Sequence, residues 1–142
     1  MTANEFRSLA LSMPEAIEGS HNGHPDFRVR HSDTKTRIFA SLFVPFDEQQ
    51  KRAREQGNAG GHEWGMVKLT PPQQAEFVEA NPEIFKPVAG GWGRQGATQV
   101  RLDSGSESTS QARCRAAAKI IRAAVIAAWR NNAPRRLVED VD

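Results

Sequence analysis

A chain of 142 residues with 11 Gly, 8 Pro, one Cys and a formal net charge of +2 has the length of a single domain with one core. Its 38% hydrophobic and 25% charged residues exclude wholesale disorder, and one cysteine excludes an internal disulfide framework and a cysteine-based zinc site, which suits a reducing compartment. The most apolar run, Ile120–Trp129, contains Arg122 and is too short to cross a bilayer; Glu5 and Arg7 precede any apolar run, unlike a signal peptide. The expectation is a cytoplasmic domain with no membrane partner.

Thr2 followed by Glu5 is a capping box, in which hydroxyl and carboxylate each satisfy a backbone N–H that the first helical turn leaves unpaired. Phe6, Leu9, Ala10 and Met13 then share one helical face, and Pro14 ends the helix at Met13. Ala16–Asn22, Phe27–Arg30 and Arg37–Phe43 read as strands, the first two separated by Gly23-His24-Pro25. In the third, apolar residues at both parities predict burial on both faces over part of its length. The pattern collapses over 47–62 into a polar insertion, read as a short helix over 48–56 and a glycine-rich link. A loop of that length is either functional or disordered.

Trp64–Leu69 is another strand. Thr70 and Gln73 form a second capping box, with Pro71 at the first position of a helix that runs to Ala80. Ile84–Val88, interrupted by Pro87, reads as an edge strand, and Ala97–Leu102 as a strand that follows a glycine-rich turn. Ser106 or Ser108 caps a long helix to Trp129. Cys114, Ala117, Ala118, Ile121, Val125, Ala128 and Trp129 fall on one face of it, with Arg115, Lys119, Arg122 and Arg130 nearly opposite. The order predicts one two-layer α+β domain over 1–142, with helices on one face of a mainly antiparallel sheet and an acidic tail at 137–142.

Charge is uneven. Residues 1–85 carry a balance of −3, residues 86–136 of +8 and residues 137–142 of −3, so the basic third points to an anionic partner. Gly91-Trp92-Gly93-Arg94-Gln95-Gly96 matches GxGxxG, but a strand-like segment follows where a dinucleotide site needs a helix. The segment reads instead as a turn in which Trp92 packs or projects; beside Arg94, a projecting Trp92 suits a planar anionic ligand. His21, His24 and Asp26 lack a recognised metal-ligand spacing and read as turn chemistry. His62-Glu63 lacks the second histidine of a zinc peptidase, no serine sits in a nucleophile elbow, and Cys114 reads as a packed thiol. No catalytic constellation and no cofactor motif emerges.

Gly19-Ser20-His21-Asn22-Gly23-His24-Pro25-Asp26-Phe27-Arg28-Val29, Trp64-Gly65-Met66-Val67-Lys68-Leu69-Thr70-Pro71, Gly90-Gly91-Trp92-Gly93-Arg94-Gln95-Gly96-Ala97-Thr98 and Ala128-Trp129-Arg130, with Glu15 after a proline, together resemble the MmcQ/YjbR family of small bacterial proteins. The resemblance spans nearly the whole chain. It implies a secretion-chaperone-like α+β fold, with three helices on one face of a curved, mainly antiparallel sheet. It also implies DNA binding of a "double wing" type, and brings no catalytic residue or cofactor with it.

The expected function is therefore a non-enzymatic DNA-binding protein. Lys68, Trp92, Arg94 and Arg101 would act around the glycine-rich turn, and Arg115, Lys119 and Arg122 would grip phosphates from the last helix. Two alternatives stand beside it: a chaperone-like adaptor that holds another protein, and a small-ligand site near Trp64, Trp92, His24 and Arg94.

Overall fold

The computed structural model of the protein describes residues 1–21, 23–43, 64–102 and 111–141, the last stretch as backbone only at 111–114 and 139–141. The expected insertion at 47–62, the Ser106 or Ser108 cap and the Cys114 side chain lie outside the described residues. Among those residues, no helix is long and apolar enough to cross a membrane.

Helix α1 (Ala3–Leu11) starts from the expected box: Glu5 N donates to Thr2 Oγ1 and Thr2 N donates to the Glu5 carboxylate. It ends two residues before Met13, because the Ser12 amide already closes the last turn. Strands β1 (Ala16–His21), β2 (His24–Arg30) and β3 (Thr36–Phe43) form an antiparallel meander. His24 and Pro25, expected in the connection, already belong to β2, and His21 pairs directly with His24. Strand β4 (Trp64–Lys68) is followed by α2 (Pro71–Ala80), whose Thr70–Gln73 box is also formed. Then come β5 (Phe85–Pro87), α3 (Gly91–Arg94), β6 (Ala97–Arg101), the 22-residue α4 (Gln111–Asn132) and α5 (Arg135–Val141).

The six strands form one curved antiparallel sheet in the order β1-β2-β3-β4-β6-β5. Strand β5 sits at an edge, where Pro87 costs no ladder hydrogen bond. Two of the five helices depart from expectation. The Gly91–Arg94 segment winds into one helical turn where a simple turn was expected. Arg135–Val141 is helical where an acidic tail was expected, and its Leu137 and Val138 pack against the core. Both helices are too short for periodicity to declare them, and one consists half of glycine.

The core lies between the sheet and α1 and α4. Phe6, Phe27, Val29, Leu42, Val67 and Val100 are buried on the helix-facing side, with Ile121, Ala124, Val125, Ala128 and Trp129 of α4 against them. Arg115, Lys119, Arg122 and Arg130 are exposed, as the wheel predicts. Strand β3 is buried across four consecutive residues, and its register gives the reason. Phe27 pairs with Ala40 but Arg28 pairs with Ile38, so Phe39 is the extra residue of a bulge. Such a bulge bends the strand, and apolar residues of both parities are buried. The turn after α1 is fixed from a distance: the Trp129 indole N–H donates to the Pro14 carbonyl at 3.0 Å. Next to it Glu15 adopts φ 57° while its carbonyl accepts from Arg30 N.

Phe6 reaches across the sheet because β4 offers no side chain at Gly65, where a Cβ would lie 2.9 Å from the Phe6 ring. Gly65→Ala is therefore expected to cost about 1–3 kcal/mol by overpacking, and Phe6→Leu in the same chain to recover part of it. Urea unfolding midpoints check both; an additive double mutant would contradict this account.

Candidate functional site

Residues whose side chains leave the sheet on the side away from α1 and α4 carry most of its polar chemistry. Alternation puts Gly19 and His21 of β1, Asp26 and Arg28 of β2, Ser41 of β3, Met66 and Lys68 of β4, and Gln99 of β6 on this second face. Asp26 is completely buried. A carboxylate removed from water must be neutralised where it sits, and Arg28 does this with two bonds. Its Nε donates to Asp26 Oδ1 at 2.7 Å and one Nη to Oδ2 at 3.0 Å. Hydrogen bonding to Asp26 holds the Arg28 guanidinium more firmly protonated than usual. His21 Nδ1 stands 3.9 Å from the same carboxylate.

The pair fits because its cross-strand neighbour is Gly19. A Cβ there would fall 2.7 Å from Arg28 Nε and 2.9 Å from Asp26 Oδ1.

Trp92 is delivered to this face by the glycine-rich segment. Gly96, at φ 114°, brings the chain so near Leu69 that a Cβ would sit 1.9 Å from its carbonyl oxygen, a conformation and clearance open only to glycine. The Gln74 amide of α2 then donates to the carbonyls of Gly93 and Ala97, each at 2.9 Å, and lies 3.2 Å from Thr98 Oγ1. On this anchored turn Trp92 stays 42% exposed, the large hydrophobic residue most open to water among the described residues. Its ring meets His21 edge-on at 6.2 Å between centroids, and Lys68 Nζ lies 5.6 Å from the indole centroid. Burial lowers the Lys68 pKa below the ordinary lysine range, while the charge on Asp26 pulls it partly back.

Two hollows meet at Lys68. One, of about 180 Å³, is lined by Lys68, Trp92, Gln95, Asn131 and others; the second, of about 410 Å³, by Arg28, Thr36, Arg37, Ile38, Lys68 and Asn132. Asn132 lines both. Asn131 Nδ2 fastens the end of α4 to this place by donating to the Lys68 carbonyl and to Gln73 Oε1. The Asn132 carbonyl accepts from His31 Nε2.

The structure brings together only some of the expected site residues. Lys68, Trp92 and the exposed Arg94 share one end of the β4–β6 ladder. Arg101 sits opposite Trp64 at the other end, four residues from Ala97, the partner of Lys68, or about 13 Å away along the strand at roughly 3.3 Å per residue. Arg115, Lys119 and Arg122 belong to the helical layer. Lys119 and Arg122 line a separate groove of about 600 Å³ against Met1, Glu5 and Leu9 of the N-terminal segment. The expected loop and helix cations thus lie on opposite sides of the sheet.

Arg28, Arg37, Asn131 and Asn132 were not singled out by sequence reasoning. For Arg28 a signal existed: Phe27 and Val29 pointing inward require Asp26 and Arg28 to point outward together. Among the described residues, no group of three or more His, Cys, Asp or Glu is placed to hold a metal ion.

Folding lowers the Lys68 pKa, so the unfolded chain binds this proton more tightly, and the lysine's contribution to stability grows as pH rises from the folded value toward the ordinary one. The stability difference between wild type and Lys68→Met is accordingly expected to move in favour of wild type as pH rises toward the ordinary lysine pKa of about 10.4. Parallel urea titrations measure it; a difference that is constant or moves the other way would refute the burial of this amine.

No family model and no curated protein matches the sequence. Among solved structures, the crystal structure of Deinococcus radiodurans protein DR2400, a DUF419-domain protein, is similar to this chain with a TM-score of 0.59 and 17% sequence identity, over 91% of this chain and 76% of the other. That similarity shows the α+β fold.

Proposed function

We propose that the protein is a non-enzymatic DNA-binding protein that takes the DNA as a single strand, on the sheet face that carries Trp92 and Lys68. One observation carries this reading: an exposed indole on an anchored turn, with a lysine amine 5.6 Å from its ring. Base stacking on an aromatic face, next to a cation for the backbone, is how single strands are held without sequence preference. Arg94, on the same helical turn, and Arg28, across the neighbouring hollow, extend the positive charge. The resemblance to the MmcQ/YjbR family, to which DUF419 is related, supports DNA as the polyanion. The helical cations Arg115, Lys119 and Arg122 have no part in this surface, because they occupy the opposite layer.

Fluorescence anisotropy of a random single strand and a random duplex, at about 50 and about 200 mM salt, tests the reading. The single strand is expected to bind more tightly and to weaken steeply with salt. Trp92→Ala should lose about 1–3 kcal/mol of binding, and Lys68→Gln should flatten the log–log salt slope by about 0.7. Lys119→Ala with Arg122→Ala should leave the slope unchanged. No binding of either DNA at the lower salt would overturn the proposal.

A further inference from the structure

We infer that the hollow walled by Arg28, Arg37, Lys68 and Asn132 is a receptor for a phosphate monoester, which in the single-strand reading is the phosphorylated end of the strand laid against Trp92. The site assignment rests on geometry and charge count; only the identification with a strand end depends on the proposed function.

Arg28, Arg37 and Lys68 line this hollow of about 410 Å³, and among the described residues the one carboxylate bonded to any of them is Asp26. Their balance is +2. A phosphate monoester carries about −1.5 to −2 at neutral pH because its second pKa is near 6, whereas an internal phosphodiester carries a single charge. The monoester is therefore the phosphate that discharges the site.

The donors are already oriented. Asp26 occupies Nε and one Nη of Arg28, which fixes the guanidinium plane and leaves its other donors for a ligand. A planar fork held in this way favours bidentate contact with phosphate. Gly19 keeps the space that the pair needs. Neither Lys68 nor Arg37 makes an ion pair with a carboxylate of the described residues. A dianion beside Lys68 would also favour the charged amine that burial disfavours.

The C-terminal end of α4 abuts the hollow, and a helix C-terminus ordinarily repels an anion. Here its Asn132 carbonyl is bonded to the His31 ring, and the Asn132 amide is turned back to the Ala128 carbonyl. The Asn132 carbonyl is thereby engaged by the imidazole.

The test compares a decamer with a 5′-phosphate, the same decamer with hydroxyl ends, and deoxyadenosine 5′-monophosphate, each against wild type and Arg37→Gln. Arg37 is exposed and stands opposite Val29 in the β2–β3 ladder, and circular dichroism checks that its replacement leaves the fold intact. Arg28→Gln, which strands a buried carboxylate, serves only with a check of folding by circular dichroism.

The phosphorylated decamer is expected to bind about tenfold more tightly than the hydroxyl-ended one. That preference should vanish in Arg37→Gln and fade as pH falls below about 6 and the monoester gains a proton. Binding of the mononucleotide with the same Arg37 and pH dependence, without a difference between the decamers, would assign the site to a free monoester. It would be the same chemistry from another source. Equal binding of both decamers and no binding of the mononucleotide would overturn the inference while the single-strand reading stood. Binding of the mononucleotide alone, with neither decamer retained, would overturn the single-strand reading and keep the monoester site. If none of the three binds, both fall.

Discussion

A carboxylate with no exposure to water has to find its compensation within the protein, and the arrangement of the second sheet face follows from meeting that demand at Asp26. Arg28 is two residues away on the same strand and therefore on the same face, so it can wrap back on Asp26 with two bonds. The neighbouring strand contributes Gly19 and hence room for the pair. What results is a guanidinium fixed in orientation at the wall of a hollow. Breaking such a pair by removing one partner generally costs about 3–5 kcal/mol, because it leaves a buried charge uncompensated. A sheet needs no such pair to be stable, since apolar residues of similar size would serve as well. The pair is therefore better understood as a device for aiming donors than as a support for the fold.

The two faces of the sheet divide the work. The helix-facing side holds an apolar core in which Phe6, Phe27 and Trp129 are the largest buried groups, and its geometry is set by packing. The other side is set by the polar bonding of Asp26 with Arg28, while Gln74 of α2 ties down the glycine-rich turn and Asn131 ties the end of α4 to β4. Lys68 stands where these three meet. Its backbone belongs to the ladder, its carbonyl accepts from Asn131, its amine lies over the Trp92 ring, and the residue lines the cationic hollow.

Most of the fold was legible in the sequence because its signals are local. Two capping boxes, a proline at a strand edge and a helix wheel each depend on residues within one or two turns of one another, and each has its counterpart in the structure. The one-turn helix at Gly91–Arg94 and the helix at Arg135–Val141 were not legible, since one turn has no period and seven residues are too few to display one. The candidate site was half legible. Lys68, Trp92 and Arg94 stand in distinctive stretches, and their neighbourhood was suggested by the glycine-rich turn. Arg28, Arg37 and Asn132 come from three elements whose adjacency is created only by strand order and the docking of α4. For the same reason the sequence could not reveal that Arg115, Lys119 and Arg122 face away from the other cations: a count of charge along the chain carries no information about which side of a sheet the charge ends on.

The bond from the Trp129 indole to the Pro14 carbonyl joins residues 115 positions apart, and it has a consequence for the order of folding. During synthesis the last strand is complete at Arg101, before any of α4 has been made. Until that helix arrives, the sheet has only α1 and α2 to cover an apolar face meant for a much larger partner. The corner before β1 meanwhile waits for the indole that will hold it. Contacts so distant in sequence form late, because the loop between them must close first. The nascent protein therefore passes through a stage with a nearly finished sheet and an exposed greasy side, the kind of intermediate that aggregates or recruits a chaperone. Substitutions that slow the docking of α4 would reduce the yield of folded protein before they altered the stability of what had folded.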